Sequence, residues 1–148
     1  MISLEASVLV VEDSDEDFDT VVEALANTSL RNSVQRASSG DQCLELLRGG
    51  AGSSAVRPAF VLLDLNTPGM DGRDALVEIR ADAATWQLPV VVLSTSANPR
   101  DVAQCYERGA NAYHVKPTHY DDHLRLVQSV LSYWLVHVLL PDTTGDLR

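Results

Sequence analysis

The chain has 148 residues, of which 45% are hydrophobic, enough for one folded domain with a substantial core but not for two. No apolar run approaches the roughly 18 residues of a membrane span, and no basic-then-apolar signal segment opens the sequence, so we expect a cytoplasmic protein. The formal net charge of -10, from 11 Lys and Arg against 21 Asp and Glu, argues against nonspecific nucleic-acid binding, because attraction to phosphates needs clustered positive charge.

Five short β-branched or aliphatic runs alternate with segments of helical periodicity, the pattern of βα units on a parallel sheet. The first, third and fourth runs are continuously apolar, as expected for central strands covered by helices on both faces. A Gly/Ser-rich connection from Gly49 to Arg57 predicts a long surface loop before the third strand. The five predicted strands are Ser7 to Val11, Ser33 to Ala37, Phe60 to Leu63, Val90 to Leu93 and Ala112 to Val115.

A helix-capping signal follows each predicted strand, because a short polar side chain there can accept a hydrogen bond from a free N–H of the first turn. Pro99 occupies the favoured first position of the fourth helix, and Gly109 predicts its end. Right-handed crossovers then give an α/β, doubly wound (βα)5 fold, with ligands expected beyond the carboxyl ends of the strands. The predicted caps are Ser14, Ser39, Asp71, Asn98 and Thr118.

Acidic residues follow two of the predicted central strands. Glu12 and Asp13 come directly after the first strand, and Asp64 comes directly after the third. Taken alone, Glu12 and Asp13 fit a solvated turn, and Asp64 fits equally well a turn initiator in a turn-rich loop. If the two strands are neighbours, the three carboxylates share one cleft, where their repulsion requires a cation. All-oxygen ligation suits Mg2+ better than zinc or copper, so we expect a magnesium site.

Two further strand ends carry groups suited to phosphate. The fourth predicted strand leads into Ser94 and Thr95, and the fifth leads into Lys116 and Pro117. Singly, a Ser at a strand end is usually a cap or turn residue, and a Lys before Pro is usually a surface charge. Together, the four strand ends deliver carboxylates, a hydroxyl and an ammonium group to one rim, which are the groups that a phosphoryl-transfer site needs.

These elements, in this order, resemble the response-regulator receiver family of two-component signalling systems. The family pattern is an acidic pair after the first strand, Asp-x-x-x-Pro-x-x-Asp-Gly after the third, Thr or Ser after the fourth and Lys-Pro after the fifth. The resemblance covers about residues 5 to 133. It implies the flavodoxin-like, three-layer sandwich of the chemotaxis receiver, with sheet order 2-1-3-4-5. The matching elements here are Glu12-Asp13, Asp64 to Gly72, Ser94 and Lys116-Pro117.

Within the family, the chain looks most like the small regulators paired with bacterial phytochrome histidine kinases. The loop after the second strand, the lengthened third loop and the ending Ser132 to Pro141 carry this narrower match. We therefore expect residues 1–148 to form a single receiver domain. Its core would span about residues 5–133, and residues 134–148 would form a C-terminal helix extension and tail.

The resemblance implies a stand-alone response regulator that takes a phosphoryl group from a sensor histidine kinase, with a bacteriophytochrome as the candidate kinase. Asp64 is then the phosphoacceptor in a Mg2+-dependent reaction, and Lys116 neutralises charge on the phosphoryl oxygens. Asp13, Asp64 and the backbone carbonyl of Asn66 are the implied direct Mg2+ ligands, and Glu12 acts through a bound water. We expect a phosphoacceptor signalling protein whose only catalysis is its own phosphorylation and dephosphorylation, not an enzyme.

The resemblance also implies a switch. Ser94 is the hydroxyl that bonds a phosphoryl oxygen, and Tyr113 is the aromatic ring that turns inward when Ser94 moves. Alternatively, Tyr113 is simply a half-buried strand residue. Thr95 stands where many members carry Ala, and its bulk is expected to restrict Tyr113 or the entry of the phosphodonor. Asn66 and Ser96 flank the expected phosphoryl position without a strong base or a charge, so we expect slow dephosphorylation.

The signal is expected to leave through a protein contact, because no second domain fits in the chain. The last predicted helix carries two apolar stripes, more than one sheet face can bury, so we expect a homodimer. The alternative is that this helix is buried more deeply or that its end folds back over its own domain. The predicted dimer residues are Leu126, Val130, Tyr133, Trp134, His137 and Leu140.

Other classes of protein fit the residues less well. A haloacid-dehalogenase-like phosphatase needs a second carboxylate two positions after its nucleophile, where this chain has Asn66. A flavin-binding flavodoxin-like protein needs Gly, Ser and Thr donors after the first strand, where this chain is acidic. Three variants of the receiver interpretation stay open: a phosphorelay intermediate, a phosphate sink, and a degenerate receiver that binds its partners constitutively.

Overall fold

The computed structural model describes residues 6–50 and 54–141, so part of the predicted Gly49 to Arg57 loop lies outside the described residues. Strands and helices alternate as the sequence predicts. Within the described ranges, no helix is long and apolar enough to cross a bilayer. The elements are β1 (Val8–Val11), α1 (Asp15–Ala26), β2 (Val34–Ala37), α2 (Gly40–Arg48), β3 (Phe60–Leu63), α3 (Gly72–Ala81), β4 (Val90–Ser94), α4 (Pro99–Glu107), β5 (Ala112–Val115) and α5 (Tyr120–Ser132).

The parallel sheet has the order β2-β1-β3-β4-β5, which confirms the predicted topology. Every residue of the three central strands β1, β3 and β4 is buried. Helices on both faces exclude water from these strands, which is why their sequences are continuously apolar. The register aligns Val11 with Leu63, and Leu63 with Val92. The polar residues that follow these strands therefore emerge at one edge of the sheet.

Alternate side chains of the central strands enter two separate cores. On one face, Val10 and Phe60 belong to a cluster that includes Leu131 of α5. On the other face, Leu9 packs in a cluster with Ile79 of α3. Full burial of a Leu or Ile side chain stabilises a fold by about 1.5–3 kcal/mol. The two cores pack against opposite faces of the sheet and so fix the positions of the strand ends.

Four of the five predicted caps are confirmed. The side-chain oxygens of Ser14, Ser39, Asp71 and Asn98 each accept a hydrogen bond from an N–H of the following first turn. The fifth cap was wrong, because α5 begins one residue later than Thr118 would require. His119 is the residue at that N-terminus, and its side chain makes no capping hydrogen bond. Gly109 follows α4 with a positive φ of 101°, as expected for a helix stop.

The end of the last helix folds over its own domain. After α5, a π-helical turn (Tyr133–His137) redirects the chain, and the Trp134 ring lies 6.1 Å from the Phe60 ring, centroid to centroid. Val130 and Leu140 are buried in the same core cluster. This corrects two of the six predicted dimer residues, because a side chain buried in its own domain core is not available to a partner. Of the other four, Tyr133 and His137 are exposed, and Leu126 and Trp134 are half-buried.

Candidate functional site

Backbone hydrogen bonds at the carboxyl edge of the sheet hold the polar strand ends beside one another. The Asp64 N–H donates to the Val11 carbonyl at 3.0 Å, which places the end of β3 next to that of β1. The Lys116 N–H donates to the Ser94 carbonyl at 2.7 Å, which joins the ends of β5 and β4. The sheet thus brings the predicted site residues together.

The ammonium group of Lys116 bridges three carboxylates. Its Nζ donates to Glu12 Oε1 at 2.7 Å, to Asp17 Oδ2 at 2.8 Å and to Asp64 Oδ2 at 3.2 Å. Lys116 and Asp64 are each 8% exposed, and Glu12 is 5% exposed. Charges this far from water are screened only weakly by salt. Lys116 is therefore the main source of positive charge beside the Asp64 carboxylate.

Burial and the neighbouring charges shift two of these groups in the same direction. Burial is the largest influence on Glu12 and, with Asp64 beside it, raises its pKa from 4.5 to about 7, although Lys116 opposes the shift. Burial by itself would lower the pKa of Lys116, but hydrogen bonds to Asp17 and Glu12 outweigh it, so the pKa is raised. Negative charge still exceeds positive charge around the ammonium group. Such a site favours a further cation.

Two residues that shape this site were missed by the sequence analysis. Asp17 was not among the predicted site residues, yet its side chain accepts a hydrogen bond from the ammonium group, while its N–H donates to the Ser14 cap. Its position one helical turn after the acidic pair was the available signal. Arg36 on β2 donates from Nε to the Glu12 carbonyl at 2.9 Å and from Nη1 to Asp15 Oδ1 at 2.7 Å. Arg36 thereby fixes the loop that carries the acidic pair, and nothing in the strand pattern marked it.

The loop between β4 and α4 joins the predicted switch residues. Ser94 is fully buried, and its Oγ accepts a hydrogen bond from the Ser96 N–H at 3.1 Å. The Tyr113 hydroxyl donates to the Ser96 carbonyl at 2.8 Å. The Tyr113 ring is half-buried and packs against the core beneath α2, α3 and α4, so it faces inward. Thr95, between the two serines, is exposed.

The loop between β3 and α3 orients Asp64 from the other side. The Asn66 N–H donates to Asp64 Oδ1 at 3.1 Å, while the Asn66 residue itself is exposed. Gly72 opens α3 directly against this loop. A Cβ at Gly72 would lie 2.9 Å from the Asp64 carbonyl oxygen, closer than real Cβ atoms come to backbone. Glycine here lets the helix approach the backbone of the phosphoacceptor candidate.

The acidic residues at this edge form a cluster suited to a divalent cation. One carboxylate oxygen from each of Glu12, Asp13 and Asp64 lies within 4.8 Å of the others. Asp13 is exposed, whereas Glu12 and Asp64 are buried, so a cation here would keep access to water on one side. Mg2+ prefers oxygen ligands and retains several waters. The donor set therefore fits the predicted magnesium ion.

The chain matches a known protein family over most of the described residues. Residues 8–128 match the model of the response regulator receiver domain. The chain belongs to this family. The match takes in all five strands of this receiver domain and all the strand-end residues described above.

Solved and curated relatives resemble this receiver domain over nearly their whole length. Response regulator Rcp1 from Synechocystis sp. (strain ATCC 27184 / PCC 6803 / Kazusa) is 37% identical over 135 residues, covering 90% of this chain and 92% of Rcp1. The phosphorylated cyanobacterial phytochrome response regulator RcpA has a TM-score of 0.89 at 34% identity, covering 93% of this chain and 99% of RcpA. The Mn2+-bound form of Rcp1 has a TM-score of 0.87 at 36% identity, covering 92% and 99%. The predicted fold and the resemblance to phytochrome response regulators are confirmed.

Proposed function

We propose that this receiver domain accepts a phosphoryl group on Asp64 from a sensor histidine kinase, in a reaction that depends on Mg2+. One observation carries the proposal. The buried Asp64 carboxylate lies 3.2 Å from the Lys116 ammonium group, beside the carboxylates of Glu12 and Asp13. A nucleophile, a fixed cation and a candidate magnesium site thus share one cleft.

In the proposed reaction, an Asp64 oxygen attacks the phosphorus of a phosphohistidine. An O–P bond forms, the N–P bond breaks, and the imidazole leaves with a proton. Lys116 neutralises charge on the phosphoryl oxygens, and the hydroxyl of Ser94 donates a hydrogen bond to one of them. Asp13, Asp64 and the Asn66 carbonyl would hold Mg2+ directly, and Glu12 would hold it through a bound water; the ion supplies further charge neutralisation when bound. Catalysis of this kind depends mainly on positioning and electrostatics.

The Ser94 hydroxyl and the Tyr113 ring form the proposed switch. In this structure Tyr113 faces inward and holds the Ser96 carbonyl, while Ser96 in turn donates to Ser94. A phosphoryl group that bonds Ser94 favours the loop conformation that suits this bond, which shifts the population between loop states. Asn66, Thr95 and Ser96, around the opening of the cleft, are proposed to tune the lifetime of the acyl phosphate.

The direct test is Mg2+-dependent phosphorylation of the purified protein by acetyl phosphate, followed by mass spectrometry. We expect one phosphoryl group per chain with Mg2+ and none with EDTA. Ser94→Ala should slow the reaction about tenfold or more, because a preorganised hydrogen-bond donor is lost. Ser33→Ala, at an exposed serine just before β2 and so at the opposite edge of the sheet, serves as the matched control and should retain phosphorylation. A wild-type protein that stays unmodified with Mg2+ would contradict the proposal.

The kinase is proposed to be a phytochrome-type sensor kinase. The name of RcpA, a phytochrome response regulator with 34% identity, supports this assignment. Transfer from a purified autophosphorylated bacteriophytochrome kinase should be faster than transfer from unrelated histidine kinases of the same concentration. Equal transfer rates from all kinases would remove the support for this pairing.

We further propose that output involves a homodimer formed by the end of the last helix. Tyr133, Val136 and Leu139 are 55%, 57% and 91% exposed. Tyr133 also lines a cavity of about 500 Å3, together with Leu126 and Trp134. Residues 126–140 contain no Asp, Glu, Lys or Arg in a chain of net charge -10. Two copies therefore meet least electrostatic repulsion at this surface.

Light scattering of a point variant tests the dimer. Deleting residues 134–148 would remove Trp134 from its contact with Phe60, so a substitution is the sharper probe. Val136→Glu places a charge in the proposed interface and should weaken dimerisation about tenfold or more. Val77→Glu, at a 43% exposed site on α3, is the matched control and should leave the dimer intact. A monomeric wild-type protein at high concentration, with and without phosphorylation, would overturn this proposal.

A further inference from the structure

A chain of charged side chains links α3 to the loop that carries Ser94. Arg73 Nη1 donates to Asp71 Oδ2 at 2.9 Å, and Arg73 Nη2 lies 3.0 Å from Asp101 Oδ1 on α4. The other Asp101 oxygen accepts a hydrogen bond from the Ser96 hydroxyl at 2.5 Å. We call these four residues, Asp71, Arg73, Asp101 and Ser96, the Arg73 brace.

Ser96 is the point where the Arg73 brace meets the switch. All of its polar atoms are engaged in hydrogen bonds. Its N–H donates to Ser94 Oγ at 3.1 Å, and its carbonyl accepts from the Tyr113 hydroxyl at 2.8 Å. Its Oγ donates to Asp101 and accepts from the Asn98 N–H at 3.2 Å. A residue held by every polar group has little freedom to move independently of its partners.

The surroundings of Arg73 and Asp101 favour the charged form of each side chain. The hydrogen bond from Ser96, and then the charge of Arg73, lower the pKa of Asp101. Burial by itself would lower the pKa of Arg73, but the charges and hydrogen bonds of Asp71 and Asp101 have the larger effect, so the pKa is raised. The Arg73 side chain is only 18% exposed, so its ion pairs are less screened than those of the surface. The planar guanidinium bridges two carboxylates with different nitrogens, Nη1 on Asp71 and Nη2 on Asp101, and its rigidity fixes their relative positions.

The bond from Ser96 to Ser94 determines what Ser94 can do. Because Ser94 Oγ already accepts the Ser96 N–H, its own hydroxyl hydrogen is left to donate. A donor that is oriented before its partner arrives loses less free energy to reorganisation when the partner binds. If Ser96 moved, the Ser94 hydroxyl would lose the contact that orients it.

We propose that Arg73 is a positioning residue, which acts through Asp101 and Ser96 to hold the Ser94 hydroxyl ready for a phosphoryl oxygen. This inference rests on the proposed function of Asp64 and Ser94. The ion-pair partners of Arg73 are Asp71 and Asp101, and neither is a proposed ligand of the phosphoryl group or of Mg2+. We therefore expect Arg73 to affect the binding of a phosphoryl group, and not the affinity for Mg2+ when no phosphoryl group is present.

Titration with beryllofluoride, a phosphoryl analogue, at saturating Mg2+ tests the Arg73 brace by calorimetry. We expect Arg73→Gln and Ser96→Ala each to weaken beryllofluoride binding about fivefold or more, while the affinity for Mg2+ alone stays at the wild-type value. The double variant should bind beryllofluoride with the same affinity as the more impaired of the two single variants, because both substitutions break the same chain of contacts. Asp101→Asn provides a further variant with no loss of side-chain volume, should Arg73→Gln fold poorly.

The matched control is Arg48→Gln. It removes a comparable interhelical ion pair, Arg48 to Glu78 at 3.1 Å between α2 and α3, and should leave beryllofluoride binding unchanged. The positioning role would be overturned if Arg73→Gln or Asp101→Asn bound beryllofluoride with wild-type affinity, or if the losses added in the double variant. Either result would leave the proposed function intact. A wild-type protein that binds no beryllofluoride would overturn both.

Discussion

Replacing Asp64 by Asn is expected to abolish phosphorylation and, without Mg2+ at about pH 8, to make the folded protein more stable than wild type. An amide oxygen does not replace a carboxylate as the nucleophile, so the acyl phosphate cannot form. In the metal-free site, Asp64 lies beside Glu12 and helps to raise its pKa. Removing one of two repelling buried charges should increase the free energy of unfolding by about 1 kcal/mol.

This gain in stability should depend on pH, because the pKa of Glu12 is raised from 4.5 to about 7. Below pH 4.5, Glu12 is protonated in both the folded and the unfolded chain, so its titration does not change the free energy of unfolding. Between the two values, the unfolded chain releases its proton first, so the stability of the wild type falls as pH rises. Above the higher value the loss is complete. The advantage of Asp64→Asn should therefore be small near pH 4.5 and largest at about pH 8.

Urea unfolding in EDTA at several pH values measures the stability of the wild type and of Asp64→Asn. Asp74→Asn is the matched control, since its side chain is 66% exposed and its only ion-pair partner among the described residues is Arg108, at 4.0 Å. Its stability should stay within about 0.5 kcal/mol of wild type at each pH. An Asp64→Asn protein that is less stable than wild type at high pH would show that Asp64 is held by attraction to Lys116 more than it is repelled by Glu12.

Replacing Lys116 by Met should have the opposite effect on stability and an equally large effect on function. Met keeps the length of the side chain but leaves the carboxylates of Glu12, Asp17 and Asp64 without their shared cation. Removing one partner of a buried ion pair costs about 3–5 kcal/mol, because the remaining charge is left uncompensated. Phosphorylation by acetyl phosphate should slow by about a hundredfold or more, since a fixed positive group is lost from the phosphoryl site.

Added Mg2+ should restore part of the stability of Lys116→Met, and more than it adds to wild type. The reason is that the variant has more uncompensated negative charge at the acidic cluster, so the metal gains more by binding to the folded form. Arg125→Met is the matched control, because Arg125 pairs with Asp122 at the surface with 71% of its side chain exposed. Its loss should be less than about 1 kcal/mol. Equal stability losses in the two variants would contradict a special role for the ammonium group.

The elements and the edge of the sheet that carries the site were readable from the sequence because they depend on local patterns. Continuous apolar runs mark strands covered on both sides, and short polar residues mark the first turns of helices. Parallel strands place their carboxyl ends at one edge, so residues such as Asp13, Asp64, Ser94 and Lys116 could be assigned to one rim without coordinates. Thr118 failed as a cap because several polar residues follow β5, and local chemistry does not choose among them.

Only the tertiary structure decided which distant side chains meet. Asp17 and Lys116 are 99 positions apart, and their contact depends on how α1 packs beside the sheet. Arg73 reaches Asp101 only because α3 and α4 lie side by side. The two apolar stripes of the last helix were visible in the sequence. Packing buries Val130 and Leu140, which stand on either side of the π-helical turn, and leaves Tyr133 exposed. Periodicity reports that a face is apolar, whereas packing between elements determines what covers it.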